Sequence, residues 1–469
     1  MTRIEHDALG EHAVPKTAYY GVHTARALEN FPVSGLRAHA TLVEATVLVK
    51  KAAALANVEV ERLDARVGES IVAAADEILG GALRDEFVVD VYQAGAGTSH
   101  NMNVNEVLAN RAEELLGGDL GQYRLVHPND HVNMGQSTND VFPTATRLAL
   151  LRVHGPLVGA ARSLALSLER KADEFRSILK VGRTHLQDAV PMTLGQEFGG
   201  YAACLDRAAG ELDHASEALK ELGLGATAVG TGLNAGDDYT ARAIAHLGRL
   251  TGMPLVPAAN RFAATQSMGD VLLYSSAMRR LAVELGKIAS DLRLLAMGPR
   301  AGLREIVLPA VQPGSSIMPA KVNPSIPEMV NQVCFQVIGC DATVCAAAEA
   351  GQLELNVMMP VIAWNALHAS TILSNAMDAL RTRTVDGIEA DADRCRELLE
   401  RSTAGATALA PYLGYEVTAG IARDAVTMGR SIRDLVLERG LIDARRLDEI
   451  LSPEGMTSPG IAGGGVMKR

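Results

Sequence analysis

The strongest structural pattern in the sequence lies at residues 271–295, which have the sequence VLLYSSAMRRLAVELGKIASDLRLL. Apolar side chains recur there in alternating steps of three and four residues, at Val271, Tyr274, Met278, Leu281, Leu285, Ile288, Leu292 and Leu295. Such spacing is typical of one face of a long helix that packs in a bundle. The stretch therefore predicts a helix with a continuous apolar seam.

Four other stretches have the same amphipathic character, at about 145–180, 196–222, 327–358 and 361–385. Together the five stretches predict an all-α fold built on one elongated five-helix bundle. A helix of about 30 residues is about 45 Å long, which is longer than one small domain can cover. We therefore expect neighbouring subunits to cover part of the seam.

Length and composition indicate more than one domain. The chain has 469 residues, of which 48% are hydrophobic and only 4% aromatic, and it exceeds the size at which a single domain stays compact. We expect an N-terminal helix and loop domain at residues 1–140, the central bundle at 141–395 and a small helical C-terminal domain at 396–469.

Net charge, apolar runs and cysteine content indicate which ligands and which cellular location to expect for the protein. The chain has 44 Lys and Arg against 55 Asp and Glu, a net charge of -11, which disfavours nucleic-acid binding and favours a small-molecule substrate or a protein partner. The start of the chain is polar, and no apolar run approaches the length of a membrane helix, so we expect no membrane insertion and a cytosolic location. Five scattered cysteines are expected to be reduced, buried thiols.

The segment with the most chemical content is residues 314–324, GSSIMPAKVNP. It carries two hydroxyls, a lysine and an amide just before a predicted helix, whose start is marked by a capping box at residues 325–328. Lys321 and Asn323 would then lie near a positive helix end that suits an anion. A Gly/Pro-rich surface loop with an ordinary serine cap is the alternative, and the segment alone does not decide between them.

Three further loops have the same polar character, at residues 97–103, 136–140 and 182–188. The last two precede apolar helical stretches, and each taken singly is more typical of a helix N-cap than of a binding site. Four hydroxyl-rich loops together favour a dicarboxylate site. His127 and His131 flank Asp130 without a clear third ligand, so we predict no metal site there.

At these four loops the sequence resembles the aspartase/fumarase superfamily. The superfamily signature Gly-Ser-Ser-x-Met-Pro-x-Lys-x-Asn is complete at residues 314–323, and the likeness runs from residues 18–22 to 354–357. Several stretches are more similar to aspartases than to fumarases, at 97–99, 137–139, 189–192 and 348–353. Ala320 stands where many relatives carry Gly.

The resemblance implies that the chain eliminates ammonia from L-aspartate to give fumarate through an enediolate intermediate. Ser315 would be the base that removes the Cβ proton, and His185 would hold the departing amine together with Asn139. The α-carboxylate would be held by Thr184, Lys321 and Asn323. The β-carboxylate would be bound by Thr98, Ser137, Thr138 and Ser316.

The resemblance also implies three helical domains and a homotetramer in which each site draws loops from three subunits. No cofactor is required, because the carboxylate of the substrate accepts the electrons, although relatives can be activated by a divalent cation. Two other functions stay open: a class II fumarase that hydrates fumarate, and a non-catalytic structural tetramer. The intact Ser315, Lys321, Asn323 and His185 argue against the structural tetramer.

Overall fold

The computed structural model of the protein describes residues 1–464. Over that part of the chain, seventeen α-helices and eight short β-strands follow one another. The prediction of a mainly helical fold is confirmed.

The helices of the first half of the chain are α1 (Val22–Asn30), α2 (Ala40–Glu59), α3 (Ala65–Leu79), α4 (Thr98–Leu115), α5 (Thr138–Glu174), α6 (Leu194–Glu217) and α7 (Asp237–Thr251). Those of the second half are α8 (Arg261–Gln266), α9 (Gly269–Leu295), α10 (Ser325–Glu349), α11 (Met359–Arg383), α12 (Ala392–Arg401), α13 (Ala406–Leu413), α14 (Tyr415–Met428), α15 (Ile432–Glu438), α16 (Ala444–Ile450) and α17 (Pro453–Thr457). All five predicted long helices are present, as α5, α6, α9, α10 and α11.

The strands form four sheets of two strands each within the described residues. The strands are β1 (Thr2–Asp7), β2 (Gly10–Pro15), β3 (Leu179–Thr184), β4 (Gln187–Thr193), β5 (Glu221–Leu222), β6 (Val256–Pro257), β7 (Ile306–Val307) and β8 (Glu389–Ala390). The pairs β1–β2, β3–β4 and β7–β8 are antiparallel, and β5–β6 is parallel. The β1–β2 hairpin lies in a region where only helix and loop were predicted.

The seam on α9 is buried by the chain itself. All eight seam residues are at most 4% exposed, from Val271 at 0% to Leu295 at 4%. The expectation that neighbouring subunits cover this seam is therefore wrong. Apolar side chains on other faces remain exposed instead: Leu273 and Val283 on α9 are 49% and 53% exposed, and Phe335 on α10 is 67% exposed.

The chain divides into two compact units, each made of three segments. Unit 1 comprises Met1–Gly159, Gly210–Ala282 and Phe335–Ser374, and unit 2 comprises Ala160–Ala209, Val283–Cys334 and Asn375–Arg469. In unit 1, helices α2, α3 and α4 share a core that includes Val47, Ile71 and Leu108. In unit 2, the C-terminal helices share a core that includes Leu409 and Val436. The division into three domains stays a prediction.

Helix α10 is the one helix in the described part of the chain that is long and apolar enough to cross a membrane. In its most apolar part, 39% of the residues are buried. A single helix of this kind is weak evidence for a membrane span, because core helices of soluble proteins have the same length and composition. The expectation that no stretch approached membrane length is nevertheless wrong for α10, since charges such as Asp341 are few and widely spaced along it.

Candidate active site

In unit 1, Thr98 is the first residue of α4 and follows three residues in the left-handed region. Gly95, Ala96 and Gly97 have φ of 78°, 56° and 92°, and Thr98 Oγ1 donates a hydrogen bond to Gly95 O at 2.6 Å. A Cβ atom at Gly97 would lie 2.2 Å from Phe142 Cδ2. Only glycine meets both requirements, so this tight turn depends on Gly97 and fixes the position of Thr98.

The loop at residues 137–140 begins α5 and caps it reciprocally. Asn139 N donates to Ser137 Oγ at 3.2 Å, and Ser137 N donates to Asp140 Oδ1 at 2.9 Å. The cap interpretation of this loop is therefore confirmed. Thr138 Oγ1 lies 3.3 Å from Thr98 Oγ1, so two of the predicted β-carboxylate hydroxyls converge. The side-chain amide of Asn139 donates to Ala228 O at 2.8 Å.

Beneath these two hydroxyls lies a buried network of amides and one lysine. Asn101 Nδ2 is 3.1 Å from Thr138 Oγ1 and 3.2 Å from Asn133 Oδ1. Lys50 is fully buried, and its Nζ donates to Asn133 Oδ1 at 2.8 Å and to Gln136 Oε1 at 3.0 Å. The network therefore connects a buried ammonium group to the predicted β-carboxylate hydroxyls.

Burial shifts the protonation of two groups in this network. Loss of solvent lowers the pKa of Lys50 to about 7 and raises the pKa of Asp140 to about 6, and each charge partly offsets the shift of the other. Asp140 Oδ2 also accepts hydrogen bonds from Gly225 N at 2.9 Å and from Thr227 N at 3.0 Å. Both groups thus titrate near neutral pH beside the candidate site.

Lys50 had no predicted role, because in the sequence it only interrupts an apolar stretch. It lies on α2 seven residues after Val43 and three after Val47, which are themselves 8% and 0% exposed. A lysine in register with the buried face of a helix is the signal that could have identified it.

In unit 2, Thr184 and His185 lie at the tip of the β3–β4 hairpin. Thr184 pairs with Gln187, and His185 and Leu186 between them have φ of 56° and 60°, the conformation of a two-residue type I′ turn. The interpretation of Thr184 to Gln187 as a helix cap is therefore wrong. Thr184 and His185 are exposed at this tip.

The Ser315 loop in unit 2 closes on itself through backbone hydrogen bonds. Gly314 N donates to Lys321 O at 2.7 Å, and Asn323 Nδ2 donates to Gly314 O at 2.7 Å. Ser315 Oγ accepts hydrogen bonds from two backbone N–H groups, Ile317 N at 3.2 Å and Met318 N at 2.9 Å. Hydrogen-bond donors aimed at a hydroxyl oxygen stabilise its deprotonated form.

The other residues of this loop also lie close together. Lys321 Nζ donates to Asn323 Oδ1 at 2.6 Å, and both side chains border a cavity of about 730 Å³ that Arg293 and Arg304 also line. Ser316 is exposed. Ala320 has a φ of 61°, a conformation that glycine adopts more easily.

Helix α10 begins at Ser325, but without the predicted capping box. Glu328 N donates to the backbone oxygen of Pro324 at 3.1 Å, while Ser325 Oγ lies 3.4 Å from Asn323 O. The capping-box prediction is therefore wrong. The backbone N–H of Glu328 donates to the backbone oxygen of Pro324 and not to the hydroxyl of Ser325.

The predicted site residues thus form two groups. Unit 1 holds Thr98, Ser137, Thr138 and Asn139, and unit 2 holds Thr184, His185, Ser315, Ser316, Lys321 and Asn323. Within unit 2, no hydrogen bond between described residues joins the hairpin tip to the Ser315 loop.

Residues 1–464 contain no group of three or more side chains placed to hold a metal ion. The ring nitrogens of His127 and His131 accept local backbone N–H groups.

A helical fold with hydroxyl-rich loops and this serine loop defines a class of lyase, and comparison with known proteins agrees. The lyase family model matches residues 10–339, and the fumarase C C-terminus model matches residues 406–458. The chain therefore belongs to the aspartase/fumarase superfamily. Its likeness to members described as aspartate ammonia-lyases places it with the carbon–nitrogen lyases.

Two such relatives illustrate this likeness. The chain is 50% identical over 461 residues to an aspartate ammonia-lyase of a Bacillus species, with 98% of both chains covered. It is 49% identical over 460 residues to the aspartate ammonia-lyase of Escherichia coli (strain K12), with 97% of this chain and 96% of that chain covered.

Solved structures share the fold. A crystal structure of fumarate lyase:delta crystallin from Brucella melitensis bound to cobalt is 50% identical, with a TM-score of 0.94 over 98% of this chain and 100% of that chain. A recombinant class II fumarase from Schistosoma mansoni has the same TM-score of 0.94 and the same coverage at 36% identity.

Proposed function

We propose that the protein eliminates ammonia from L-aspartate to give fumarate, with Ser315 as the base. Relatives described as aspartate ammonia-lyases, similar over nearly the whole chain, support the reaction. The observation that carries the assignment of the base is the pair of backbone N–H groups, from Ile317 and Met318, that donate to Ser315 Oγ. A serine hydroxyl is weakly acidic, and it can accept a carbon-bound proton only when its alkoxide is stabilised in this way.

The reaction needs a place for negative charge. Removal of the Cβ proton of aspartate moves an electron pair into the neighbouring β-carboxylate, which becomes an enediolate. Thr138 Oγ1 is suited to donate to its oxygens, and Thr98 Oγ1, 3.3 Å away, is suited to do so once its hydrogen turns from Gly95 O. Asn101 connects Thr138 to the buried Lys50 network. Donors fixed before the reaction stabilise such developing charge more than mobile water does.

The remaining roles follow the chemistry of the side chains. Lys321 is the cation suited to the α-carboxylate, with Asn323 and Thr184 as hydrogen-bond partners. Asn139 donates its side-chain N–H to Ala228 O, so its Oδ1 stays suited to accept from the ammonium group of the substrate. His185, exposed at the hairpin tip, would orient the departing amine.

We also propose a homotetramer in which different subunits supply loops to each site. The exposed apolar side chains of α9 and α10, such as Val283 and Phe335 at 53% and 67% exposed, are suited to be covered by further copies of the chain.

The proposed reaction needs no cofactor, because the substrate carboxylate accepts the electrons. The five cysteines carry free thiols, which suits the reducing cytosol, but Cys204 and Cys345 are exposed, so the expectation that all five are buried is wrong.

The experiment that tests the reaction follows fumarate by its ultraviolet absorbance after L-aspartate is added to the purified protein. Ammonia should appear in equal amount, and D-aspartate and L-asparagine should be poor substrates. Malate, argininosuccinate and adenylosuccinate serve as control substrates. Turnover of malate with none of aspartate would instead identify a class II fumarase, and no turnover of any of them would favour a structural tetramer.

A further inference from the structure

Four charged side chains meet at the base of the hairpin that carries Thr184 and His185. Arg183 makes two parallel hydrogen bonds to Glu305, from Nη2 to Oε1 at 2.9 Å and from Nη1 to Oε2 at 3.1 Å. Lys180 Nζ lies 3.0 Å from Glu305 Oε2 and 2.6 Å from Glu197 Oε2. The side chains of Glu305 and Lys180 are 0% and 2% exposed, so solvent screens little of the attraction between these two, while Arg183 and Glu197 at the edge of the cluster are 15% and 20% exposed.

Glu305 is itself held in place through its backbone. Its N–H donates to Leu295 O at 2.9 Å, at the end of α9, and its carbonyl oxygen accepts from Asp391 N at 3.0 Å. The Glu305 carboxylate is therefore a fixed point against which Arg183 is oriented.

The turn beyond Arg183 has a backbone that its residues do not favour. Type I′ turns require positive φ at both central residues and normally use Asn-Gly, whereas this turn has His185 and Leu186 at 56° and 60°. The strand pairing that leads to it is also irregular, with a register shift between Val181 and Arg183. Local preferences thus do not define the position of the tip, and a contact from outside the hairpin is needed.

A buried ion pair is a weak source of stability, because desolvation of the two charges offsets their attraction. Its two-pronged geometry, by contrast, defines the direction of a side chain closely. Arg183 is the residue immediately before Thr184. A change in the direction of the Arg183 side chain therefore also displaces Thr184 at the tip of the hairpin. The cluster is therefore better suited to orient the hairpin than to stabilise the fold.

We propose that Glu305 and Arg183 are positioning residues that hold the Thr184–His185 turn in the geometry that binds the substrate. This inference rests on the proposed function, in which Thr184 binds the α-carboxylate and His185 the amine. Neither Glu305 nor Arg183 is required to touch the substrate.

The test uses Arg183→Lys, which keeps the positive charge and removes the two-pronged contact. We expect kcat/KM for L-aspartate to fall by about 100-fold, as small displacements of reacting groups do, while Tm stays close to that of the wild type. The affinity for succinate, which lacks the amine, should fall less than the affinity for aspartate, because the displaced turn carries His185. A merely structural role would not separate these two ligands.

Two further variants complete the design. Arg147→Lys is the matched control: Arg147 is 3% exposed and makes a similar two-pronged contact with Asp270, and this variant should keep normal kcat/KM. Glu305→Asp withdraws the carboxylate by one methylene and should reproduce the effect of Arg183→Lys. The double variant Arg183→Lys with Glu305→Asp should be no worse than Glu305→Asp alone, because the contact between Arg183 and Glu305 is already broken in that single variant.

Folded Arg183→Lys or Glu305→Asp enzyme with kcat/KM within about twofold of the wild type would overturn the inference. Equal losses for aspartate and succinate, or additive losses in the double variant, would also overturn it. If Arg183→Lys is insoluble, the same comparison of aspartate with succinate is made on Glu305→Asp. A wild-type protein that does not deaminate aspartate would contradict the proposed function instead, so the two failures are distinguishable.

Discussion

Replacement of Lys50 by methionine should change how the stability of the protein depends on pH. Lys50 is 0% exposed, and burial lowers the pKa of its ammonium group from 10.5 to about 7. Between these two pH values the unfolded chain binds a proton that the folded chain does not. The free energy of unfolding of the wild type therefore rises with pH across this window. Burial of Lys50 lowers the free energy of unfolding most at and below neutral pH.

The expected size of the effect follows from the shift. From pH 7 to pH 9, proton release from Lys50 should raise the free energy of unfolding of the wild type by about 2 kcal/mol. The Lys50→Met variant lacks this term, so its stability relative to the wild type should fall by the same amount over that interval. Loss of the contacts to Asn133 and Gln136 affects both ends of the interval equally. Asp140, whose pKa is raised to about 6, titrates mainly below the interval.

The measurement is urea unfolding of both proteins at pH 7, 8 and 9, at one protein concentration because the proposed assembly makes stability concentration-dependent. Lys51→Met is the control, since Lys51 is the next residue along α2 and has a carboxylate partner in Asp76. Groups that both proteins share cancel in the difference. A difference between wild type and Lys50→Met that stays constant from pH 7 to pH 9 would refute the reasoning and mean that Lys50 keeps its charge on folding.

Four other outcomes are expected. Ser315→Ala should lower kcat by roughly 10²- to 10⁴-fold with little change in the inhibition constant of succinate, and near-normal turnover by the folded variant would make the assignment of the base wrong. Lys321→Met should weaken succinate binding by about 10- to 100-fold, and unchanged binding would remove Lys321 from the α-carboxylate. Hybrid tetramers of Ser315→Ala and Thr98→Ala should regain activity, whereas verified hybrids without activity would place each site within one chain. Gly97→Ala should lower both Tm and kcat/KM, because its Cβ would lie 2.2 Å from Phe142 Cδ2; a wild-type Tm and activity would contradict that contact.

The long helices could be predicted because their signal is local. The steps of three and four residues from Val271 to Leu295 match the helical repeat, and the same side chains are buried in α9. The left-handed turn at Gly95 and Gly97 and the cap at Ser137 are likewise encoded within a few residues.

The hairpin at Thr184 could not be predicted from local sequence. Its turn uses His185 and Leu186 in place of the usual Asn-Gly, and its support comes from Glu305, more than a hundred residues along the chain. The buried state of Lys50 also depends on distant residues, since its partners Asn133 and Gln136 lie on another segment. Contacts of this kind depend on the tertiary fold, which the local pattern does not contain.

The left-handed turn at His185 and Leu186 has a consequence for attempts to make the protein more heat-resistant. A design method guided by backbone preference alone would place Asn-Gly at this tip, because that pair adopts the type I′ turn with less strain. Such a substitution would improve the hairpin and remove the imidazole assigned to the amine. A thermostable variant should therefore be sought with His185 and Leu186 excluded from the substitutions.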